Sequence, residues 1–277
     1  MWLLPVGCSA TLALDMSCVL MRADACLQSE DAVLGGSLRL RQFKHGHRFG
    51  HDTILLAAAC PGRAGEQAVD LGAGVGAAGL ALAVRVEGIS VTLVEADPRL
   101  AALARKNAEH NGLAARIDVA NLDVTASARV FAAAGLAPES QMRVLMNPPF
   151  NDPLRQRASP DERRRSAHMG PRGTLAAWVR TAGRLLRPSG TLTLIWRAQG
   201  LAEVLEALAP AFGAASVLPI HSKAGRAALR VLVRASKGSR APLSLLPGFF
   251  LNDAAGRPTR EAEAVLRGSA TLPLAEM

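Results

Sequence analysis

The segment VDLGAGVGAAGLAL (residues 69–82) decides the fold, because it joins an apolar strand to a helix through a glycine-rich turn. Glycines at positions 72, 74 and 76 let the chain turn tightly and let a ligand approach the backbone. The helix behind them presents free N–H groups at its N-terminus. A strand, a glycine loop and a helix in this order predict a nucleotide-binding α/β domain.

Strands and helices alternate on the C-terminal side of this unit. Such alternation predicts an α/β fold with a mostly parallel sheet and helices on both faces, and the last two strands, joined by HSKAGR, add an antiparallel pair. Upstream, residues 34–43 read as a strand or hairpin, and a helix follows at 52–60 with Asp52 or Thr53 as its N-cap. The seven predicted strands are QAVDLG, VTLVEA, ARIDVA, RVLMN, TLTLIWRA, ASVLPI and AALRVLVRA, and the helices lie near 76–85, 98–110, 127–134, 173–187 and 201–212.

Three segments are expected along the chain. Residues 1–33 form an uncertain or disordered leader, 34–237 the folded domain, and 238–277 a C-terminal tail that packs on it. The first twenty residues lack a basic n-region and carry Asp15, so they match neither a signal peptide nor a membrane span. A disordered leader, or a true start at Met16 or Met21, is the preferred interpretation, and a cytoplasmic location is expected.

The charge balance favours an anionic partner. The 277 residues include 32 Lys and Arg against 23 Asp and Glu, a net charge of +9, which indicates nucleic acid first. The cysteines (Cys8, Cys18, Cys26 and Cys60) fit no zinc spacing, and neither do His45, His47 and His51. We therefore expect a reduced protein without a metal, and Cys60 in the core.

The glycine loop is compatible with two cofactors. Gly74-Val-Gly76-Ala-Ala-Gly79 matches the dinucleotide pattern G-x-G-x-x-G. Two carboxylates favour S-adenosylmethionine instead: Asp70 can face a methionine-type cation, and Asp123, after the third strand, can accept from an adenine amino group. Glu95 ends the second strand, where a carboxylate can accept both ribose hydroxyls.

The fourth strand ends in an unusual turn, VLMNPPFND (residues 144–152). Its carboxyl end lies beside the glycine loop in such a sheet, at the switch point where ligands bind. The side-chain oxygen of Asn147 and the carbonyl of Pro148 can accept the two hydrogens of an aromatic amine and expose its lone pair. Pro149 stiffens the turn, and Phe150 can stack on a base. A rigid turn without chemistry is the alternative.

Basic residues follow in two groups. Arg163 and Arg164 lie in a polar loop at 151–170, which is either a substrate lid or a solvated loop. The stretch from Lys223 to Arg240 has no acidic residue. Phosphate contacts are the favoured interpretation, and a basic sheet edge protected from aggregation is the alternative. The RNA-binding candidates are Arg163, Arg164, Lys223, Arg226, Lys237 and Arg240.

The segments DLGAGVG, VEAD and NPPF, in this order and spacing, resemble class I S-adenosylmethionine-dependent methyltransferases with an N-P-P-[YF] motif. RFGHDTILLAAA and AALRVLVRASKGSRAPLSLLPGFFLND narrow the resemblance to small-domain methyltransferases that include the bacterial tRNA1(Val) (adenine-37-N6)-methyltransferase. It covers about residues 34–268. This resemblance implies the strand order 3-2-1-4-5-7-6 and a methyltransferase domain at 34–237. Phe150 stands where relatives often have Tyr.

The resemblance also implies roles for individual residues. Glu95 holds the ribose, Asp123 the adenine, and Asn147 with Pro148 the target amine. The segment containing Arg48, Gly50, Asp52 and Thr53 closes over the cofactor. The catalytic set is Asn147, Pro148, Pro149 and Phe150, and the cofactor set is Arg48, Gly50, Asp52, Thr53, Asp70, Gly72, Gly74, Gly76, Glu95, Asp123 and Asn147.

The expected function is S-adenosylmethionine-dependent methylation of an exocyclic amine, with adenine N6 in tRNA as the favoured acceptor. Glutamine amides in proteins and guanine N2 in rRNA are the alternatives within this chemistry. A nicotinamide oxidoreductase explains the glycine loop but leaves NPPF without a role. RNA is the expected partner, with neither metal nor membrane, and the chain is expected to be a monomer or homodimer.

Overall fold

The structure, a computed structural model, describes residues 28–44, 48–149 and 171–276. Two antiparallel strands, β1 (Gln28–Val33) and β2 (Leu38–Phe43), form a hairpin that precedes the central sheet along the chain. β1 is formed by residues that the sequence assigns to the leader; the rest of that segment lies outside the described residues. The central strands are β3 (Gln67–Leu71), β4 (Ser90–Glu95), β5 (Ile117–Asn121), β6 (Gln141–Met146), β7 (Leu186–Arg197), β8 (Phe212–Lys223) and β9 (Ala228–Lys237).

The central strands lie in the order β5-β4-β3-β6-β7-β9-β8. Counted from β3, this is 3-2-1-4-5-7-6, so the predicted order is confirmed. β9 runs antiparallel to both neighbours, while the other central pairs are parallel. Two short strands that the prediction lacks, β10 (Ser244–Leu245) and β11 (Phe249–Asn252), pair in parallel with β8. They cover the outer edge of β8, which would otherwise present unpaired backbone groups.

Helices cover both faces of the sheet, as predicted. One apolar cluster lies under α1, α2, α3 and α7, and a second lies under α4, α5 and α6. Apolar side chains from each helix face the sheet, so burial on both sides holds the layers together. The helices are α1 (His51–Ala59), α2 (Ala77–Arg85), α3 (Pro98–His110), α4 (Ala128–Ala133), α5 (Pro171–Leu185), α6 (Leu201–Leu208) and α7 (Arg260–Leu266).

The start of α1 differs from the prediction. Gly50 is the N-cap, and no side chain makes a capping hydrogen bond. Asp52 does not cap the helix because its carboxylate pairs with Arg230 on β9, at an N–O distance of 2.8 Å. A residue 178 positions away thus takes the side chain that the local sequence assigns to capping.

Two helix ends also differ from the prediction. α6 stops at Leu208, four residues earlier than expected, because β8 already begins at Phe212. α5 ends at Leu185, and β7 follows at once. The sequence Pro188-Ser189-Gly190 does not separate helix from strand; it forms an irregularity in the pairing of β7 with β6, where Ser189 has a positive φ of 65°.

The C-terminal residues run along the domain. Thr259 caps α7 by accepting a hydrogen bond from the backbone N–H of Ala262. Beyond α7, the N–H of Leu272 donates to the carbonyl of Ala58 in α1, and the guanidinium of Arg234 on β9 donates to the carbonyl of Leu274. The division of the chain at residues 33 and 237 stays a prediction.

Candidate active site at the carboxyl edge of the sheet

The glycine loop after β3 turns toward β4. The N–H groups of Gly72 and Ala73 donate to the carbonyl of Val94 at 2.8 and 3.0 Å. Gly72 has a φ of 73°, and a Cβ there would lie 2.3 Å from the ring of Trp178 on α5. Gly74 has a φ of 58°, but no described atom lies within 4 Å of its Cβ position. The loop is therefore packed on its inner side and open at its tip, where a ligand can approach the backbone.

Asp70 lies beneath this loop. Its side chain is 2% exposed, and its Oδ2 accepts the N–H of Gly79 in the first turn of α2 at 2.9 Å. Burial raises the pKa of Asp70 to about 7, the charge of Glu95 adds to the rise, and the Gly79 bond opposes it. The carboxylate thus fixes α2 against β3, and its direct contact with a ligand stays a prediction.

Glu95 connects the glycine loop to the turn after β4. Its Oε2 accepts the N–H of Gly74 at 2.7 Å, and its Oε1 accepts the N–H of Asp97 at 2.9 Å. At the end of the next strand, Asp123 is exposed and accepts from both the N–H and the hydroxyl of Thr125. The two carboxylates lie at the ends of adjacent strands, where they suit a ligand that offers hydroxyl and amino hydrogens.

Asn147 lies beside the glycine loop. Leu71 and Met146 are paired residues of β3 and β6, so Asn147 follows β6 next to Gly72, about 5 Å away between adjacent strands. The Oδ1 atom of Asn147 is buried and has no hydrogen-bond partner among the described residues. Pro148 is buried and Pro149 is exposed, whereas Phe150 lies outside the described residues.

An unpaired buried acceptor of this kind costs roughly 1–3 kcal/mol. Other buried side-chain atoms of the described residues also lack a partner, Oε1 of Gln42 and Oε1 of Glu203 among them. What distinguishes Oδ1 of Asn147 is its position next to the open glycine loop, where a bound molecule can supply an N–H or O–H donor.

The segment of residues 48–53, at the start of α1, reaches the same edge of the sheet. Arg230, the partner of Asp52, pairs with Arg197 at the carboxyl end of β7. The guanidinium of Arg48 binds Asp31 at 3.0 Å and Ser29 at 3.1 Å, both on β1. Gly50 and Thr53 share a backbone hydrogen bond within the segment. The charges of Arg48 and Asp52 are therefore engaged within the protein, and any contact with a cofactor stays a prediction.

Asn107 on α3 was not predicted as a site residue, although it supports the site. It is fully buried, and its amide pairs with both backbone groups of Arg41 on β2 at 2.9 and 3.0 Å. The same amide donates to the carbonyl of Val75 in the glycine loop at 2.9 Å. Asn111, one turn later, binds both backbone groups of Arg39. In the sequence, two asparagines four residues apart on one face of the predicted helix could have indicated this supporting role.

The basic stretch from Lys223 to Arg240 is divided by the fold. Lys223 and Arg226 lie at the turn between β8 and β9, at the carboxyl edge, whereas Lys237 and Arg240 lie at the opposite end of β9. The ten residues of β9 separate the two ends by about 30 Å. Lys237 binds Glu139 and the carbonyl of Leu186. Lys223 and Arg226 therefore do not share one surface patch with Lys237 and Arg240, and RNA binding by any of these residues stays a prediction. Arg163 and Arg164 lie outside the described residues.

Within residues 28–44, 48–149 and 171–276, no group of three His, Cys, Asp or Glu side chains could hold a metal ion. His45 and His47 lie outside these ranges. Cys60 is buried, and burial raises the pKa of its thiol to about 11. No helix in the described part of the chain is long and apolar enough to cross a membrane.

Comparisons with known proteins give one family. Residues 46–223 match the family model of the methyltransferase small domain. A solved structure of a predicted O-methyltransferase from Agrobacterium tumefaciens is 33% identical, with a TM-score of 0.66 over 80% of this chain and 98% of that chain. No curated protein matches the sequence.

Two more distant solved structures have lower scores. A SAM-dependent O-methyltransferase from Thermotoga maritima is 17% identical, with a TM-score of 0.48 over 72% of this chain and 69% of that chain. TrmN from Thermus thermophilus is 22% identical, with a TM-score of 0.47 over 68% of this chain and 48% of that chain.

Proposed function

This chain belongs to the methyltransferase small-domain family, and from that membership we propose that it methylates an exocyclic amine, with adenine N6 in tRNA as the favoured acceptor. S-adenosylmethionine is the cofactor, so the dinucleotide interpretation of the glycine loop is set aside. The transfer to nitrogen and the identity of the acceptor are our proposal.

The residues around the glycine loop fit this cofactor. The open tip at Gly74 leaves room for a ligand against the backbone. Glu95 lies at the end of β4, where its carboxylate can accept ribose hydroxyls, and Asp123 lies one strand further on, where it can accept an adenine amino group. When bound, the cofactor supplies a methyl group on a positively charged sulfur.

The buried Oδ1 of Asn147, which has no partner among the described residues, is the observation that supports amine methylation most strongly. An exocyclic amine donates one hydrogen to this oxygen and the other to the carbonyl of Pro148. Both bonds strengthen as positive charge develops on the nitrogen, so they stabilise the transition state more than the bound substrate. They also turn the lone pair of the nitrogen away from its ring and toward the methyl group.

Proton balance favours nitrogen over oxygen as the acceptor. A methylated amine carries an extra proton that solvent removes after the transfer, so no side-chain base is needed. A hydroxyl acceptor has to lose its proton during attack, and the amide of Asn147 cannot take it. The Agrobacterium relative is a predicted O-methyltransferase, which makes O-methylation a second candidate. Glutamine amides and guanine N2 present the same NH₂ geometry as adenine and are the remaining alternatives.

The acceptor can be identified by isotope labelling. Purified protein with methyl-labelled S-adenosylmethionine is offered bulk tRNA, rRNA and a protein extract, and each product is digested and chromatographed. The proposal predicts label in N6-methyladenosine from tRNA. Label in methylglutamine or N2-methylguanine would replace the acceptor but keep the role of Asn147. Label in an O-methyl product would contradict the proposal.

A further inference from the structure

An aromatic pair, made of the exposed Phe250 and the partly buried His221, lies at the outer edge of the sheet and has no part in the proposed transfer. The rings of His221 on β8 and Phe250 on β11 have centroids 5.0 Å apart and planes inclined by 32°. Phe249 and Leu251 on either side pack against the apolar core, so Phe250 faces away from it and keeps 38% of its surface exposed. An exposed aromatic ring between two partly buried residues that pack on the core is available to a partner.

The pair is held in place by the backbone around it. The Nδ1 atom of His221 lies 2.7 Å from the carbonyl of Arg226, and the carbonyl of Phe250 accepts the hydroxyl of Thr259 at 2.8 Å. Gly248 lets the chain pass close to the imidazole, because a Cβ there would lie 2.7 Å from Nε2. Asn252 donates to the carbonyl of Ser222 and so ties β11 to β8. The rings therefore form a preformed surface.

Two cations border this surface. Lys223 is paired in register with Asn252, and Arg226 lies in the turn between β8 and β9. Neither side chain forms an ion pair with another described residue. The nearby carboxylate of Asp253 is neutralised by Arg257 at 3.0 Å. Positive charge beside an exposed ring favours a ligand that combines phosphates with flat bases.

We propose that Phe250, His221, Lys223 and Arg226 form a docking site for RNA, in which an unpaired base stacks on Phe250 and the two cations contact its phosphates. This inference rests on the proposed function, since it names the surface that would hold the RNA substrate. The site lies at the same carboxyl edge as Asn147. Four strand spacings separate β6 from β11, about 19 Å, which corresponds to roughly six nucleotides of a stacked strand.

RNA binding without cofactor tests the site independently of catalysis. Fluorescence anisotropy with labelled bulk tRNA and with a short single-stranded RNA gives the dissociation constants at several salt concentrations. Phe250→Ala is expected to weaken binding roughly 5- to 150-fold, the effect of losing one stacked base. Arg226→Ala is expected to lower the slope of log K against log salt by about one, the effect of losing one phosphate contact.

Two matched controls lie elsewhere on the surface. Val130 on α4 is an apolar side chain of similar exposure, 42%, and Arg187 is an exposed arginine near the start of β7, at the opposite edge of the sheet. Val130→Ala and Arg187→Ala are expected to leave RNA affinity within about twofold of the wild type. Phe250→Leu retains the apolar bulk without the aromatic face, so its RNA affinity should fall as much as that of Phe250→Ala.

The outcomes separate this site from the proposed function. Unchanged RNA affinity in Phe250→Ala, or an equal loss in Val130→Ala, overturns the docking site even if tRNA is methylated. Weakened binding confined to Phe250 and Arg226 variants supports the docking site, even if the label appears in another acceptor. If the wild-type protein binds neither bulk tRNA nor the short RNA, the docking site is overturned. Binding of a protein acceptor through Phe250 would also overturn it.

Discussion

Replacing Asp70 with Asn should change how the stability of this protein depends on pH. The carboxyl group of Asp70 is buried, with a pKa of about 7 in the folded chain against an ordinary value of 3.8. Because the folded state holds this proton more tightly than the unfolded state, the stability from Asp70 is complete below pH 3.8 and is lost as the pH rises through 7. Asn can accept the same hydrogen bond from Gly79 and never ionises.

The size of the effect follows from the two pKa values. The shift corresponds to about 4 kcal/mol in total, and about 2–3 kcal/mol of it falls between pH 5 and pH 8. The free energy of unfolding of Asp70→Asn, relative to that of the wild type, should therefore increase by about 2–3 kcal/mol between these two pH values.

Urea unfolding followed by circular dichroism at pH 5, 6, 7 and 8 measures this difference. Asp118→Asn is the matched control, because it removes one carboxylate at an exposed position of β5 and should follow the wild type. A constant difference between Asp70→Asn and the wild type across the range would refute the reasoning that burial governs this carboxyl group.

Three further variants test the site. Gly72→Ala places a methyl group 2.3 Å from Trp178, whereas Gly112→Ala shares a positive φ but has open space around it. Gly72→Ala should therefore lower the free energy of unfolding by at least about 2 kcal/mol more than Gly112→Ala does. Urea unfolding compares the two variants, and an equal loss of stability would contradict the close packing at Gly72. Glu95→Ala should raise the dissociation constant for S-adenosylmethionine by roughly 10- to 100-fold in calorimetry, and an unchanged constant would remove Glu95 from the cofactor site. Asn107→Ala leaves backbone groups of β2 and of the glycine loop unpaired, so it should lower the free energy of unfolding by about 2–5 kcal/mol. A thermal midpoint equal to that of the wild type would contradict the supporting role of Asn107.

Local signals in the sequence predicted the elements that depend on local contacts. The bounds of helix α3 agree with the prediction, because Pro98 begins it and Asn111-Gly112 ends it; the structure adds that Asp97 caps its first turn. The strand order followed from the resemblance to a known family. The position of Asn147 beside the glycine loop followed from the general rule that parallel strands present their carboxyl ends at one edge.

Features that depend on distant contacts could not be predicted in this way. Asp52 reads as a helix cap, but Arg230 takes its carboxylate across the sheet. The strands β10 and β11 have two and four residues, too few for an alternating pattern. Lys223 and Lys237 belong to one basic stretch in the sequence, yet a strand between them places them at opposite edges. Sequence proximity and spatial proximity differ most where an extended strand intervenes.

The most direct test of our account compares Asn147→Ala with the wild type in cofactor binding and in methyl transfer to the acceptor identified by labelling. Gln141→Ala is the control, because it removes an amide from the opposite end of the same strand. We predict that Asn147→Ala lowers kcat by at least about 100-fold while the dissociation constant for S-adenosylmethionine stays within about twofold. Turnover equal to that of the wild type, or a loss of cofactor binding that matches the loss of turnover, would contradict the assignment of Asn147 to the amine.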